Sequence, residues 1–102
     1  MDNKQIKRKI LTEYKALLTL KFDSPEVIKD KLKLLGEHIH QLTSPVQEEN
    51  DTYRKAAILI KEAQTTEYVG FIDALTDDDK EQALAVLKQK ASAACQLLHI
   101  HE

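Results

Sequence analysis

Apolar residues recur at helical spacing in four stretches of the chain. In the first, from about Asn3 to Leu20, and in the second, which begins at Pro25, they repeat in steps of three and four. Such steps place side chains on one face of an α-helix, along the seam where helices pack. The same spacing returns after Ser44 and after Thr76. The core residues expected from it are Ile10, Leu17, Leu32, Leu35, Ile39, Ala57, Ile60, Ile72, Leu84, Leu87 and Ala91.

Capping signals mark the starts of three helices. Ser24 and Ser44 each precede a proline, and proline suits the first position of a helix because the N–H it lacks has no partner there. Ser44 and Gln47 have the spacing of a capping box. Thr76 precedes three aspartates, residues 77–79, which the helix dipole favours in a first turn. Together, the pattern and the caps predict an all-α, antiparallel four-helix bundle formed by the whole chain (1–102) as a single domain.

The third stretch leaves its own continuity open. Residues 56–60 are apolar on every side, as expected in the middle of a bundle. The β-branched Thr65 and Thr66 then follow Gln64, and such residues weaken a helix without forbidding it. The sequence therefore allows one long third helix kinked near residues 64–66, or two shorter helices. In the second helix, Gly36 costs about 1 kcal/mol relative to alanine, and we expect it to mark a close helix crossing.

Composition narrows the class of protein. The chain has 102 residues, of which 42% are hydrophobic and only two are glycine and two proline, which argues against a β-rich or disordered chain. It contains no uninterrupted apolar run of about 18 residues that would span a membrane. Its start resembles an amphipathic helix rather than a signal peptide. The single Cys95 forms no internal disulfide and is interpreted as a small apolar residue on a helix. We therefore expect a cytoplasmic protein.

Residue types that carry catalysis or bind metals occur without the spacing they need. His38 and His40 would point about 200° apart on a helix, and His99 and His101 have no further ligand at a zinc-like spacing. The aspartates 77–79 lack the glycine and glutamate of a calcium loop. Nucleophile-elbow and phosphate-loop motifs are absent from the sequence. We expect no metal, no cofactor and no enzymatic activity.

Charge is distributed unevenly along the chain. Residues 1–40 carry nine Lys and Arg against six Asp and Glu, a net charge of +3, whereas residues 41–102 carry six against eleven, a net charge of −5. Lys4, Arg8 and Lys15 share one face of the first helix, with Lys7 nearby. This basic face either keeps the helix soluble or binds an anionic partner such as a lipid surface. The sequence pI of about 6.1 argues against general nucleic-acid binding.

The layout of the chain resembles the immunity proteins of pediocin-like (class IIa) bacteriocins. The resemblance lies in the basic first helix (Lys4, Lys7, Arg8, Lys9), the third stretch around Tyr53–Ile60 and the start of the last helix at Thr76–Glu81. It implies a small, monomeric cytoplasmic bundle that protects a producing cell from its own membrane-permeabilising peptide, which amounts to antibiotic-peptide resistance. Such a protein would bind the complex of bacteriocin and membrane receptor from the cytoplasmic side, at the inner face of the membrane.

Partner recognition is expected at the C-terminal tail, at Leu97, Leu98, His99, Ile100 and His101. An apolar strip near the end of the chain would dock on a partner, or its apolar residues would fold back onto the bundle. A second hypothesis for the whole protein is a helical interaction module, that is, an adaptor or secretion chaperone that binds a partner helix in an apolar groove. A third, less favoured reading is a nucleic-acid-binding regulator that uses the first helix.

Overall fold

In the computed structural model, which describes residues 2–100, helices account for most of the chain. They are α1 (Asn3–Thr19), α2 (Pro25–His40), α3 (Gln47–Glu62), α4 (Tyr68–Asp73) and α5 (Asp77–Leu97), with a π-helical turn (Ala63–Glu67) between α3 and α4. Residues 2–100 contain no strand, and the all-α prediction is confirmed.

The helices form four rods, namely α1, α2, the segment from α3 to α4 (47–73) and α5, and consecutive rods run in opposite directions. At the start of α1, Asn3 Nδ2 donates to the carbonyl of Thr43, which follows the end of α2, over 2.5 Å. At the start of α2, the carbonyl of Pro25 accepts from the hydroxyl of Tyr68, near the end of the third rod, over 3.1 Å. Since α5 contacts both the third rod and α1, four rods close into a bundle measuring 47 × 20 × 19 Å.

The third rod is continuous. The backbone keeps right-handed helical angles on both sides of the π turn, with φ −62° and ψ −41° at Glu62 and φ −66° and ψ −41° at Tyr68. The alternative of two separate helices is therefore wrong, and α3, the π turn and α4 form one rod. A π turn closes its hydrogen bonds over five residues instead of four, and so shifts the inward face of the helix that follows it.

The core follows the predicted helical faces with two exceptions. The predicted residues are buried apart from Ala57, which is half-buried, and Ile72, which is exposed. Phe71 occupies the core where Ile72 was expected. Neighbouring residues lie about 100° apart around a helix, so the two side chains cannot both face inward.

One of the three predicted caps is confirmed, and the other two differ from the structure. The Thr76 cap is confirmed, because its Oγ1 accepts from the backbone N–H of Asp79 over 3.1 Å. The second helix begins at Pro25 as predicted, but the Ser24 hydroxyl makes no cap and instead lies 3.4 Å from Oδ1 of Asp23.

The predicted capping box at Ser44 is wrong. The Ser44 hydroxyl accepts from the N–H of Val46 over 3.0 Å, a local turn, and α3 begins only at Gln47. The Asn50 amide reaches back to Ser44, accepting from its N–H over 3.0 Å and donating to its carbonyl over 2.6 Å. Asn50 thus stabilises the connection between α2 and α3, a role that the sequence had assigned to a capping box at Ser44.

Gly36 marks a close crossing of two rods, as predicted. Its missing Cβ would lie 3.0 Å from Nε2 of Gln64, in the π turn. That amide donates to the carbonyl of Leu32 over 2.7 Å. The side chain of Gln64 therefore reaches the backbone of α2 through the space that a glycine leaves.

Candidate functional site

The basic face of α1 and the C-terminal tail meet in one groove of about 430 Å³, which we call the amino-terminal groove. It is lined by Asn3, Lys4, Lys7, Arg8, Leu11, His99 and Ile100. These residues come from opposite ends of the chain. They meet because α5 packs antiparallel against α1, which places the end of the last helix beside the start of the first.

One wall of the amino-terminal groove is cationic. Lys4, Lys7, Arg8 and Leu11 follow each other at steps of three, one and three, so they share a face of α1. Lys4 and Arg8 are exposed, whereas Lys7 and Leu11 are half-buried. None of the ion pairs within residues 2–100 uses these three cations. Lys15 is exposed further along α1 and does not line the groove.

Asn3 anchors the end of this wall. Besides its bond to the Thr43 carbonyl, its Oδ1 accepts from the Thr43 N–H over 3.3 Å, and its Nδ2 lies 3.4 Å from the hydroxyl of Tyr53. Burial, together with the nearby carboxylate of Glu49, raises the pKa of Tyr53 above its usual value. The phenol therefore stays neutral at physiological pH, and we assign Asn3 and Tyr53 to holding the groove rather than to chemistry.

The tail residues divide between core and surface. Leu98 and Ile100 are buried in the bundle, in keeping with the alternative that the tail folds back. Leu97 is 36% exposed, and His99 is exposed. His101 lies outside the described residues. For contact with a partner, the structure therefore leaves Leu97 and His99 accessible, and their role in recognition stays a prediction.

A Schellman turn folds the tail back. The N–H of Ile100 donates to the carbonyl of Cys95 over 2.9 Å, and the N–H of His99 to that of Gln96 over 3.1 Å. His99 has a φ of 56°, the left-handed conformation that this turn requires and that glycine usually supplies. The histidine is thus held at the rim of the groove by a strained backbone. Sequence reasoning missed the turn because it contains no glycine.

A second groove, which sequence reasoning also missed, lies between α2 and α3 and has a volume of about 520 Å³. We call it the α2–α3 groove. It is lined by Lys33, Gly36, Glu37, His40, Arg54, Ala57, Ile58, Ile60, Lys61 and Gln64. Two signals were present in the sequence: the glycine inside α2, which brings the rods together, and the run 56–60, whose all-round apolar character leaves Ile58 on the surface.

The histidines are not grouped with other metal-binding side chains. His38 is half-buried, whereas His40 is exposed in the α2–α3 groove. Among residues 2–100, no three His, Cys, Asp or Glu side chains are grouped so as to hold a metal ion. Within the same range, no helix has the length and apolar character needed to cross a membrane.

Comparisons of the chain with protein-family models, with curated proteins and with solved structures found no match.

Proposed function

We propose that this chain is a cytoplasmic binding protein that confers immunity to a class IIa bacteriocin by engaging the bacteriocin–receptor complex at the inner face of the membrane. The observation that supports this most is the amino-terminal groove, where three cations from α1 meet the surface-exposed His99 of the tail. The resemblance in sequence layout supplies the class of partner. The groove supplies a surface suited to an anionic membrane and a protein bound there.

Electrostatics sets the size of the membrane contribution. A Lys or Arg close to an anionic surface contributes about 1 kcal/mol, so Lys4, Lys7 and Arg8 together contribute about 3 kcal/mol. Neutralising all three should weaken binding to phosphatidylglycerol vesicles by about 100-fold. Binding should also fall as salt is raised, since the Debye length shortens from about 10 Å at 0.1 M to about 3 Å at 1 M.

The decisive assay is protection of a bacteriocin-sensitive strain. The intact protein should raise the concentration of at least one class IIa bacteriocin that is needed to stop growth. The triple variant Lys4→Gln, Lys7→Gln, Arg8→Gln should lose most of this protection. If no bacteriocin of this class is countered by the intact protein, the immunity proposal is rejected.

A matched control separates the groove from net charge. Lys9, Lys29 and Lys55 are exposed, and none of them lines either groove. Replacing these three with glutamine changes net charge by the same amount as the groove variant. Equal loss of protection in both triple variants would show that general charge, and not the amino-terminal groove, carries the activity.

The tail requires point substitutions rather than truncation. Ending the chain after Gln96 would remove Leu98 and Ile100 from the core, and would confuse loss of binding with loss of folding. Leu97→Ser and His99→Ala change only exposed side chains. If the tail recognises the partner, these two variants should stay folded and lose protection.

The α2–α3 groove favours the alternative of a helical adaptor or secretion chaperone. Its apolar side chains, with Ile58 exposed at its edge, suit an amphipathic helix of a partner. The neighbouring gene separates the two proposals. A short secreted peptide precursor next to this gene supports immunity, whereas a secreted effector supports a chaperone.

A further inference from the structure

An apolar strip lies uncovered on the outer side of α4. Val69 and Ile72 are 54% and 44% exposed, and Leu75, which follows two residues after the helix ends, is 94% exposed. We call these three residues the α4 face. Single exposed apolar residues are normal on a protein surface, but three within seven residues form a patch of the kind found at interaction sites.

The bundle itself does not cover this strip. The inward side of α4 is occupied by Phe71, which is buried, and by Tyr68, whose ring lies 6.1 Å from that of Phe71. Next to Val69, a Cβ added at Gly70 would also meet no atom within 4 Å. The exposure of Val69, Ile72 and Leu75 shows that residues 2–100 leave the strip uncovered.

Carboxylates are frequent in the segment of chain that contains the strip. Residues 67–81 contain six Asp and Glu and one cation, Lys80. The Lys80 Nζ lies 5.7 Å from the centre of the Phe71 ring, so this cation is directed to the aromatic core. Asp73 and the aspartates 77–79 are exposed, and the ion pairs within the described residues involve none of them. The strip is therefore apolar in its centre and strongly negative at its edge.

We propose that the α4 face docks a cationic amphipathic helix of a protein partner. The apolar side of that helix would cover Val69, Ile72 and Leu75, and its Lys and Arg side chains would meet the acidic edge. An anionic membrane is a poor occupant because the edge would repel its headgroups. Val69 and Ile72 lie three residues apart on α4, about 4.5 Å along its axis, and Leu75 follows in the extended connection, so a few turns of a partner helix would cover the strip.

The probe is a synthetic amphipathic peptide of leucine and lysine, titrated into the full-length protein by calorimetry. We expect saturable one-to-one binding that weakens as salt is raised. The triple variant Val69→Ser, Ile72→Ser, Leu75→Ser should weaken binding at least tenfold. Because all three side chains are exposed, the variant should melt close to the wild type, and its thermal unfolding is recorded alongside.

Two controls make the experiment specific. Val27, Val46 and Val86 are comparably exposed on other parts of the surface, and their replacement by serine should leave peptide binding unchanged. The protein variant with Lys4→Gln, Lys7→Gln and Arg8→Gln should bind the peptide as the wild type does. Failure of this proposal can therefore be distinguished from failure of the proposed function. Equal weakening by both serine triples would overturn the α4 face as the site. Sedimentation showing that the α4 face instead joins two copies of this chain, in a dimer abolished by its serine triple, would overturn the choice of partner.

Discussion

The contact between Gly36 and Gln64 predicts an unusual response to a helix-favouring substitution. Replacing glycine by alanine inside a helix normally stabilises a protein by about 1 kcal/mol. At Gly36, however, the new Cβ would lie 3.0 Å from Nε2 of Gln64, an unusually tight contact. Gln64 must then shift by a few tenths of an ångström, which weakens its 2.7 Å bond to the Leu32 carbonyl.

The two effects oppose each other. A neutral hydrogen bond contributes about 1 kcal/mol net, and the Leu32 carbonyl keeps the N–H of Gly36, four residues on, so no buried acceptor is orphaned. Gly36→Ala alone should therefore raise the free energy of unfolding by less than the ~1 kcal/mol expected in the absence of this contact. In a Gln64→Ala background the clash is absent, since the other neighbour, Cγ2 of Ile60, lies at an ordinary 3.6 Å. There the same substitution should stabilise by about 1 kcal/mol.

Urea unfolding of the four proteins of this double-mutant cycle measures the coupling, with unchanged slopes showing that the unfolding transition itself is unaltered. Gly70→Ala is the matched control, because its Cβ would meet nothing within 4 Å and should stabilise by about 1 kcal/mol in either background. If Gly36→Ala stabilises as much as Gly70→Ala in the wild type, or if the cycle is additive within about 0.3 kcal/mol, the reasoning is refuted.

Further predictions concern the last helix. Thr76→Ala removes the cap on the Asp79 N–H and should cost about 1 kcal/mol, seen as a melting temperature lower by about 4–8 °C; an unchanged melting temperature would contradict the cap. His99→Gly should raise stability by about 1 kcal/mol in the same assay, whereas His99→Ala, which keeps the left-handed strain, should not. Lys88 donates to two carbonyls at the end of α1, and burial lowers its pKa. Lys88→Met should therefore lower the free energy of unfolding in urea by about 1.5–3 kcal/mol. A smaller loss would mean that water replaces its hydrogen bonds. Burial raises the pKa of the Cys95 thiol from 9.0 to about 12, so the folded state binds the thiol proton more tightly than the unfolded state does. The stability that comes from this difference is lost as pH rises from about 9 to 12. Cys95→Ala should make the free energy of unfolding fall less steeply over that range.

Local signals predicted most of the fold. The helical period placed α1, α2 and α5, and the Thr76 cap placed the start of α5 at Asp77, because periodicity and capping depend only on residues a few positions apart. The charge pattern likewise predicted a basic face of α1 with Lys4, Arg8 and Lys15 on it and Lys7 nearby, of which Lys15 does not line the groove. These parts of the answer required no knowledge of what packs against what.

Contacts between distant residues decided the rest. Phe71 takes the inward position expected for Ile72, on a rod that Gln64, in the π turn, bonds to α2, more than thirty residues away in sequence. Phe71 and Ile72 are adjacent and both apolar, and the apolar pattern after the threonines did not show which of them faces inward. The sequence therefore predicted an apolar segment there but not its inward face.

The candidate site shows the same division. Its two halves, the cations of α1 and the tail after Leu97, were both visible in the sequence as separate features. Their union in one groove, and the burial of Leu98 and Ile100 beneath it, depend on the antiparallel packing of α1 against α5 and on the backbone turn at His99. Local patterns determine which face of a helix is apolar, but only the packing of whole helices determines which faces meet, because that choice is made by the summed burial of residues far apart in the chain.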